Sequence, residues 1–125
     1  MTDAPPADGS FVETCLFCRI AAGEIPADRL HEDDLVVAFR DIAPRAPTHI
    51  LLIPRRHITS AAEVTEADGP LLGRLFGVAA DLARSENIAD GGYRLVSNVG
   101  RWGGQTVDHL HLHLMGGRAF VWPPG

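Results

Sequence analysis

Residues 108–117 read Asp-His-Leu-His-Leu-His-Leu-Met-Gly-Gly, with imidazole and leucine in strict alternation. Side chains alternate faces along a strand, so this run suits a strand with leucines on one side and histidines on the other. Leu110, Leu112 and Leu114 turn toward a core. His109, His111 and His113 share the opposite face, roughly 6–7 Å apart at successive Cα positions. The bland reading of that face is a solvated surface, but such surfaces usually mix Thr, Lys, Glu and Ser. Half of the six histidines in the chain stand here. Histidine is the side chain that titrates near neutral pH and also ligates metals. A metal site and acid–base or nucleophilic catalysis are the two sharper readings, and they do not exclude each other.

A strand of this kind needs partners. Leu35–Asp41 and Thr48–Ile53 are Val-, Phe- and Ile-rich strands around a proline turn at Ile42–Pro47, and Tyr93–Asn98 is a third. The histidine strand covers Val107–Met115, and a weaker strand covers Asp28–Glu32. Phe11–Ala22 suits a short helix ending near Gly23, with Pro26 beyond it. A longer helix starts near Thr65 or Asp68, where Leu72, Leu75, Phe76, Ala79, Leu82 and Ala83 recur at helical spacing. These elements predict an α+β domain: an antiparallel-leaning sheet of about five strands, one long helix and a short N-terminal helix. A chain of 125 residues makes one domain and buries a core without disulfides. The acidic, proline-rich start, MTDAPPADGS, is expected to be a flexible tail over residues 1–12, with the domain over 13–125. It has neither a basic start nor an apolar stretch, so it is not a secretory signal. No apolar run approaches ~20 residues, so no membrane span is expected and the protein is placed in the cytoplasm. The net charge of −5 disfavours general nucleic-acid binding, which needs a basic surface. A small phosphate ester held by backbone amides remains compatible with it.

The loop ahead of the histidine strand reads Asn-Val-Gly-Arg-Trp-Gly-Gly-Gln-Thr from Asn98 to Thr106. Its glycines let backbone N–H groups approach an anion closely. Asn98, Gln105 and Thr106 add side-chain donors. A plain flexible turn is the alternative. Beside an imidazole strand, however, these donors suit phosphoryl or nucleotidyl transfer, in which neutral imidazole attacks phosphorus and the donors stabilise its oxygens.

Cys15-Leu-Phe-Cys18 is a CxxC. A thioredoxin-like motif expects a preceding strand, and none precedes it. Zinc favours thiolate and imidazole ligands in a tetrahedral set, but spacing alone does not name the other two ligands. Two buried, reduced thiols are the alternative.

The whole pattern resembles the histidine triad superfamily. The run from His109 to Met115 matches its H-x-H-x-H-φ-φ motif. CLFCRIAAGEIPA and EDDLVVAFRDIAPRAPTHILLIPRRHI are similar to its N-terminal half, N-x-G-x-x-G-G-Q-T to its loop, and the W-P-P-G ending to its Hint-like branch. The resemblance implies the triad fold in a homodimer and hydrolysis of purine nucleoside 5′-phosphoramidates, AMP- or GMP-linked amines, through a nucleotidyl-histidine intermediate. His111 takes the nucleophile's place, with its Nδ1–H held by a backbone carbonyl. His113 takes the place of a phosphate contact and His49 that of a proton donor at the leaving group. Asn98, Gly104, Gln105 and Thr106 match the phosphate-holding positions, with Thr where the family commonly has Ser. Asp41 matches the ribose-binding acid. Leu16, Phe17, Ile20, Phe39, Ile42 and Leu51 match the apolar purine slot. Trp122 is placed near the leaving group in the partner subunit's site. Bacterial relatives with this CxxC complete a structural Zn²⁺ site with the histidines at the positions of His57 and His109, leaving His111 free of metal.

Each position also has a plainer role: core packing for Phe39 and Leu51, a turn for Asp41, a satisfied polar group for His49, a dimer-interface anchor for Trp122. His31 matches no site position. A non-catalytic, zinc-stabilised nucleotide-binding or scaffold protein is the competing class. A dinucleoside polyphosphate hydrolase of the same superfamily is another, disfavoured by the W-P-P-G tail; His113 disfavours the transferase relatives, which carry Gln there. Arg101-Trp102 departs from the usual small or acidic loop residues and bears on which amine is accepted.

Overall fold

The structure is a computed structural model that describes residues 5, 6 and 8–125. The expected tail therefore lies partly outside the described residues. Five strands form one antiparallel sheet: β1 (Arg29–Glu32), β2 (Val36–Arg40), β3 (Thr48–Pro54), β4 (Tyr93–Val96) and β5 (Leu112–Gly116), in the order β1-β2-β3-β5-β4. The helices are α1 (Leu16–Ala21) and α2 (Gly69–Ser85). Among the described residues no helix is long and apolar enough to cross a membrane.

β3 sits between β2 and β5 and is buried from end to end, which is why it reads as a continuous apolar run. Alternation along it separates two cores. Ile50 and Leu52 join Val36, Ala38, Leu112 and Leu114 under α2, whose Leu75, Val78, Ala79, Leu82 and Ala83 form the inward stripe. Leu51 and Ile53 join Val37 and Phe39 on the opposite face, covered by Phe17, Cys18, Ile20 and Ala21 of α1. The histidines lie on this second face.

Two element boundaries differ from the sequence expectation, and one resolves a choice it left open. The N-terminal helix begins at Leu16, because Cys15 is its cap: the Cys15 sulfur accepts the Cys18 N–H at 3.3 Å, and Cys15 N–H closes a turn onto the Val12 carbonyl. The long helix begins at Gly69 with Asp68 as its N-cap, the second of the two expected starts, while Thr65 caps a separate 3₁₀ turn over Glu66–Asp68. The histidine strand begins at Leu112, not Val107. Upstream of it Leu110 N–H donates to the Ile58 carbonyl, and the ring of His109 donates to the Pro54 carbonyl at 2.8 Å, where a neighbouring strand's backbone would otherwise stand. The leucine–histidine alternation survives this: Leu110 still reaches the α2 core and His109 is fully buried on the other face.

Candidate active site

A pocket of about 540 Å³ opens on the α1 face of the sheet, within the range of small-ligand sites. Phe17, Ile20, Phe39 and Leu51 are buried in its walls, and Leu16 and Ile42 line it while exposed. Asp41 and Thr106 lie on its rim, and His111 and His113 close one end. Phe17 stands edge-on to Phe39 and to His111, with ring centres 5.6 and 5.1 Å apart, so one side chain links the apolar walls to the imidazole end. The pocket also includes Ile25, Pro26, Ala27, Asp28, Arg40 and Val107, which the sequence reading did not single out. Ile25–Asp28 form the connection from α1 to β1, a stretch with no periodicity to reveal which way it faces.

The ring nitrogens follow from their partners. His111 Nδ1 lies 2.7 Å from the carbonyl of His109, an acceptor, so Nδ1 carries the proton and Nε2 keeps its lone pair. For His49 the polarity is reversed: Arg45 N–H donates to its Nδ1 at 3.0 Å, so its proton is on Nε2. That Nε2 stands 2.8 Å from His113 Nδ1 and 3.4 Å from an Asp41 oxygen. His113 Nδ1 therefore accepts, and its Nε2 carries a proton. His49 is 5% exposed and is not among the pocket-lining residues, so it stands behind His113. Burial brings the His113 pKa down to about 4, helped by the neighbouring His111 and His49 and opposed by Asp41. Burial also lowers the His49 pKa; Asp41 pulls it back up and the Arg45 charge pushes it down. Asp41, His49 and His113 present three potential ligand atoms within 4.8 Å. With a hydrogen already on the His49 nitrogen that faces His113, this is a chain for holding a proton, not a cation site.

The glycine loop places its residues differently from one another. Gln105 does not point a free amide at the pocket. Its Oε1 accepts the Gly100 N–H at 2.9 Å, and its Nε2 donates to the carbonyls of Thr59 at 2.7 Å and Val107 at 3.0 Å. Gly104 sits at φ +83°, and a Cβ at Gly103 would overlap the Val99 carbonyl oxygen, so the loop's path depends on both glycines. Asn98 and Gly104 are not among the pocket-lining residues, whereas Thr106 is. Trp122 is 83% exposed and does not line the pocket of its own chain, and Trp102 is 96% exposed in the glycine loop. His31 belongs to another network: its Nε2 pairs with Asp33 at 2.6 Å.

Below the pocket Cys15, Cys18, His57 and His109 bring four ligand atoms within 4.8 Å of one another. His109 Nε2–H is committed to the Pro54 carbonyl, which leaves the Nδ1 lone pair facing Cys15 Sγ at 3.3 Å and Cys18 Sγ at 3.5 Å. His57 Nδ1 is 3.3 Å from Cys18 Sγ. Burial brings the His109 pKa down to about 4, so the ring is neutral, as a ligand must be. Burial pushes the Cys18 thiol up to about 11 when no cation offsets it. Two thiols and two oriented imidazoles form a donor set that fits a tetrahedral metal ion. His109 thus has two separate jobs, its ring in this cluster and its carbonyl on His111.

Comparison with known proteins bears on what such an arrangement does. Residues 22–120 match the model of the HIT domain family. The chain is 51% identical over 106 residues to a purine nucleoside phosphoramidase of Escherichia coli, covering 85% of this chain and 89% of that one. It is 50% identical over 113 residues to an uncharacterized HIT-like protein of Synechococcus elongatus, covering 90% and 98%. Among solved structures, a HIT family hydrolase from Legionella pneumophila superposes with a TM-score of 0.88 at 53% identity, covering 90% of this chain and all of that one.

Proposed function

The chain belongs to the HIT domain family and is a hydrolase, and we propose that it cleaves the P–N bond of purine nucleoside 5′-phosphoramidates. The observation that carries this reading is the His111 ring, with Nδ1 fastened to the His109 carbonyl and a free Nε2 at the end of an apolar pocket. A neutral imidazole so held is a nucleophile that needs no base to activate it.

The apolar walls of Phe17, Ile20, Phe39 and Leu51 take the purine and Asp41 the ribose hydroxyls. His113 donates its Nε2–H to a phosphoryl oxygen. An anionic phosphate beside His113 adds to the pull of Asp41, so the His49–His113 pair takes up a proton as substrate binds. His111 Nε2 then bonds to phosphorus as the P–N bond breaks, and the amine leaves with the proton of the pair. A water molecule attacks the nucleotidyl-histidine, returns a proton to the pair, and releases the nucleotide from Nε2. In this reading His49 acts on the leaving group through the His113 ring, to which its Nε2–H is bonded.

We assign Cys15, Cys18, His57 and His109 to a structural zinc ion. Four protein ligands leave no open position for water, so a bound ion would tie α1 to the histidine strand without entering the chemistry. The free thiols suit a reducing, cytoplasmic setting. Exposed Trp122, not a lining residue of its own chain's pocket, suits a homodimer in which it reaches the partner's site.

Base-quenched single turnovers of adenosine 5′-phosphoramidate test the reading, since base preserves a phosphorus–imidazole bond that acid would cleave. Nucleotide should be trapped on His111. His111→Ala should lose on the order of 10³-fold or more in turnover while still binding AMP. Turnover surviving in that variant, or no trapped nucleotide in the wild type, overturns it in favour of another nucleophile or a non-catalytic nucleotide-binding protein.

A further inference from the structure

The Cys–His cluster has its own opening to solvent. A second cavity, of about 450 Å³, is lined by Cys15 and His57. Leu16, Thr106 and Val107 line both this cavity and the first pocket. Cys18 and His109 line neither, and they are 2% and 0% exposed against 8% for Cys15. A small solute that enters the second cavity therefore meets the Cys15 sulfur before the Cys18 sulfur.

The two sulfurs converge. Both lie beside Nδ1 of His109, at 3.3 and 3.5 Å, and they are within 4.8 Å of each other. Cys18 N–H donates to Cys15 Sγ at 3.3 Å, so the chain between them is already folded into a single turn. Bonded sulfurs are about 2 Å apart, so closing a disulfide here asks for a shift of roughly 3 Å at most. The two residues inside that turn, Leu16 and Phe17, are walls of the first pocket. Phe17 stands edge-on to His109 and to His111, with ring centres 6.0 and 5.1 Å away. The cluster meets the nucleophile by a second route as well, through the His109 carbonyl that holds His111 Nδ1 at 2.7 Å. What happens at the sulfurs is thus one turn of chain from the pocket wall and one hydrogen bond from His111.

We propose that Cys15 and Cys18 are a peroxide-responsive pair, oxidised to a disulfide that expels the zinc ion and slackens both the pocket wall and the nucleophile. The inference rests on the zinc assignment and adds a chemistry of the sulfurs to it. Metal-bound cysteines are thiolates, the form that reacts. The Cys15 sulfur attacks one oxygen of hydrogen peroxide. The O–O bond breaks, one oxygen stays on Cys15 as a sulfenic acid, and the other leaves as hydroxide and takes a proton to become water. The Cys18 thiolate then attacks the Cys15 sulfur. The S–S bond forms, the S–O bond breaks, and a second hydroxide leaves and is protonated. The two thiolates have together lost two electrons, and the peroxide has gained them. Disulfide sulfurs carry no negative charge, which leaves two imidazoles, too few ligands to hold the ion. A thiol reductant reverses the bond by exchange, and the site can reload.

The test treats zinc-loaded protein with hydrogen peroxide and follows zinc released to a chromogenic chelator, the mass of the peptide holding residues 15 and 18, AMP affinity, and turnover of adenosine 5′-phosphoramidate. About one zinc per chain should appear as that peptide loses two hydrogens. AMP affinity should fall measurably and turnover roughly tenfold or more, since a nucleophile displaced by about 1 Å loses up to 10²-fold. Dithiothreitol with added zinc should restore all four readings. Cys18→Ser should instead accumulate a sulfenic acid on Cys15, trapped with dimedone, whereas Cys15→Ser should accumulate none on Cys18. The wild-type readings decide by themselves if either serine variant fails to fold. Met1 and Met115 hold the chain's other sulfurs, and Met115 stands opposite His49 between β5 and β3. Oxidation of methionine adds an oxygen instead of removing hydrogens, so the masses separate the two routes. Zinc retained while only methionine is oxidised, sulfenic acid on Cys18 in place of Cys15, or a disulfide that leaves AMP affinity and turnover unchanged overturns the proposal and leaves the zinc assignment standing. Protein that carries no zinc when purified under reducing conditions overturns that assignment and this inference with it.

Discussion

Gln105 sharpens the difference between a residue that touches substrate and one that shapes the site. Its side chain makes three hydrogen bonds, all within the protein: from Gly100 N–H, and to the Thr59 and Val107 carbonyls. Replacing it by Ala removes all three. Each is worth about 1 kcal/mol, and water takes over part of the two exposed ones, so the loss is about 1–2 kcal/mol, or about 4–8 °C in Tm for a domain of this size. Gln105→Glu is the more informative change. It keeps the size and the acceptor for Gly100 but sets a carboxylate oxygen against two carbonyl oxygens. It should therefore destabilise the protein at least as much as Ala despite being nearly isosteric. Amide exchange at Gly100 should accelerate in both variants, and AMP affinity should fall only as far as the loop loosens. Unchanged Tm and unchanged exchange over residues 98–105, together with lost AMP binding, would refute the reasoning, because the side chain would then be holding phosphate directly.

Three further outcomes follow from the same geometry. Cys18→Ser should lower bound zinc, measured by metal analysis, and should lower Tm; chelation should do the same to the wild type and change the Cys18→Ser protein little. A Cβ at Gly116 would meet Ile88 Cδ1 at 2.6 Å and Cβ at 2.9 Å, so Gly116→Ala should cost about 1–3 kcal/mol by urea unfolding; adding Ile88→Ala should cost less than the sum of the two single changes. His113, held at about 4 in the folded state against an ordinary value near 6.5, refuses a proton that the unfolded chain accepts. Its contribution is thus fully present above about pH 6.5 and is lost as pH falls from there toward 4; His113→Gln should flatten the fall in stability over that window by up to roughly 1.4 kcal/mol per pH unit.

Much of this was legible in the amino-acid order because it depends on periodicity. Alternation along residues 109–114 separates leucine from histidine, the apolar run Thr48–Ile53 marks a central strand, and the spacing from Leu75 to Ala83 marks the buried stripe of α2. Boundaries were less legible because they are set by single side chains acting across turns, such as the Cys15 sulfur that starts α1 and the His109 ring that delays β5. Gln105 stands where the family resemblance implies a phosphate contact, yet its amide closes a loop through Thr59, 46 positions away, which no spacing encodes. The wall at Ile25–Asp28 has no pattern to read and is placed by the exit from α1.

What the order of residues least reveals is why three identical side chains on one face are held in three different ways. The answer lies in the group that meets the second nitrogen of each ring. His109 gives its Nε2–H to the Pro54 carbonyl and so turns a lone pair on Nδ1 toward two sulfurs. His111 gives its Nδ1–H to the His109 carbonyl and so keeps Nε2 bare in the pocket. His113 accepts at Nδ1 from His49, itself polarised by Arg45 N–H, and so presents a proton at Nε2. In the proposed reading, ligand, nucleophile and donor are thus set by the group that meets each ring: the Pro54 carbonyl on β3, the His109 carbonyl ahead of β5, and the His49 ring that Arg45 N–H orients. The first two assignments are joined, because the residue whose ring faces the thiols is the residue whose carbonyl orients the nucleophile. Loosening the Cys–His cluster should therefore reach His111 through 2.7 Å of hydrogen bond, which makes the sulfur cluster part of how the nucleophile is aimed even though no sulfur touches the pocket's imidazoles.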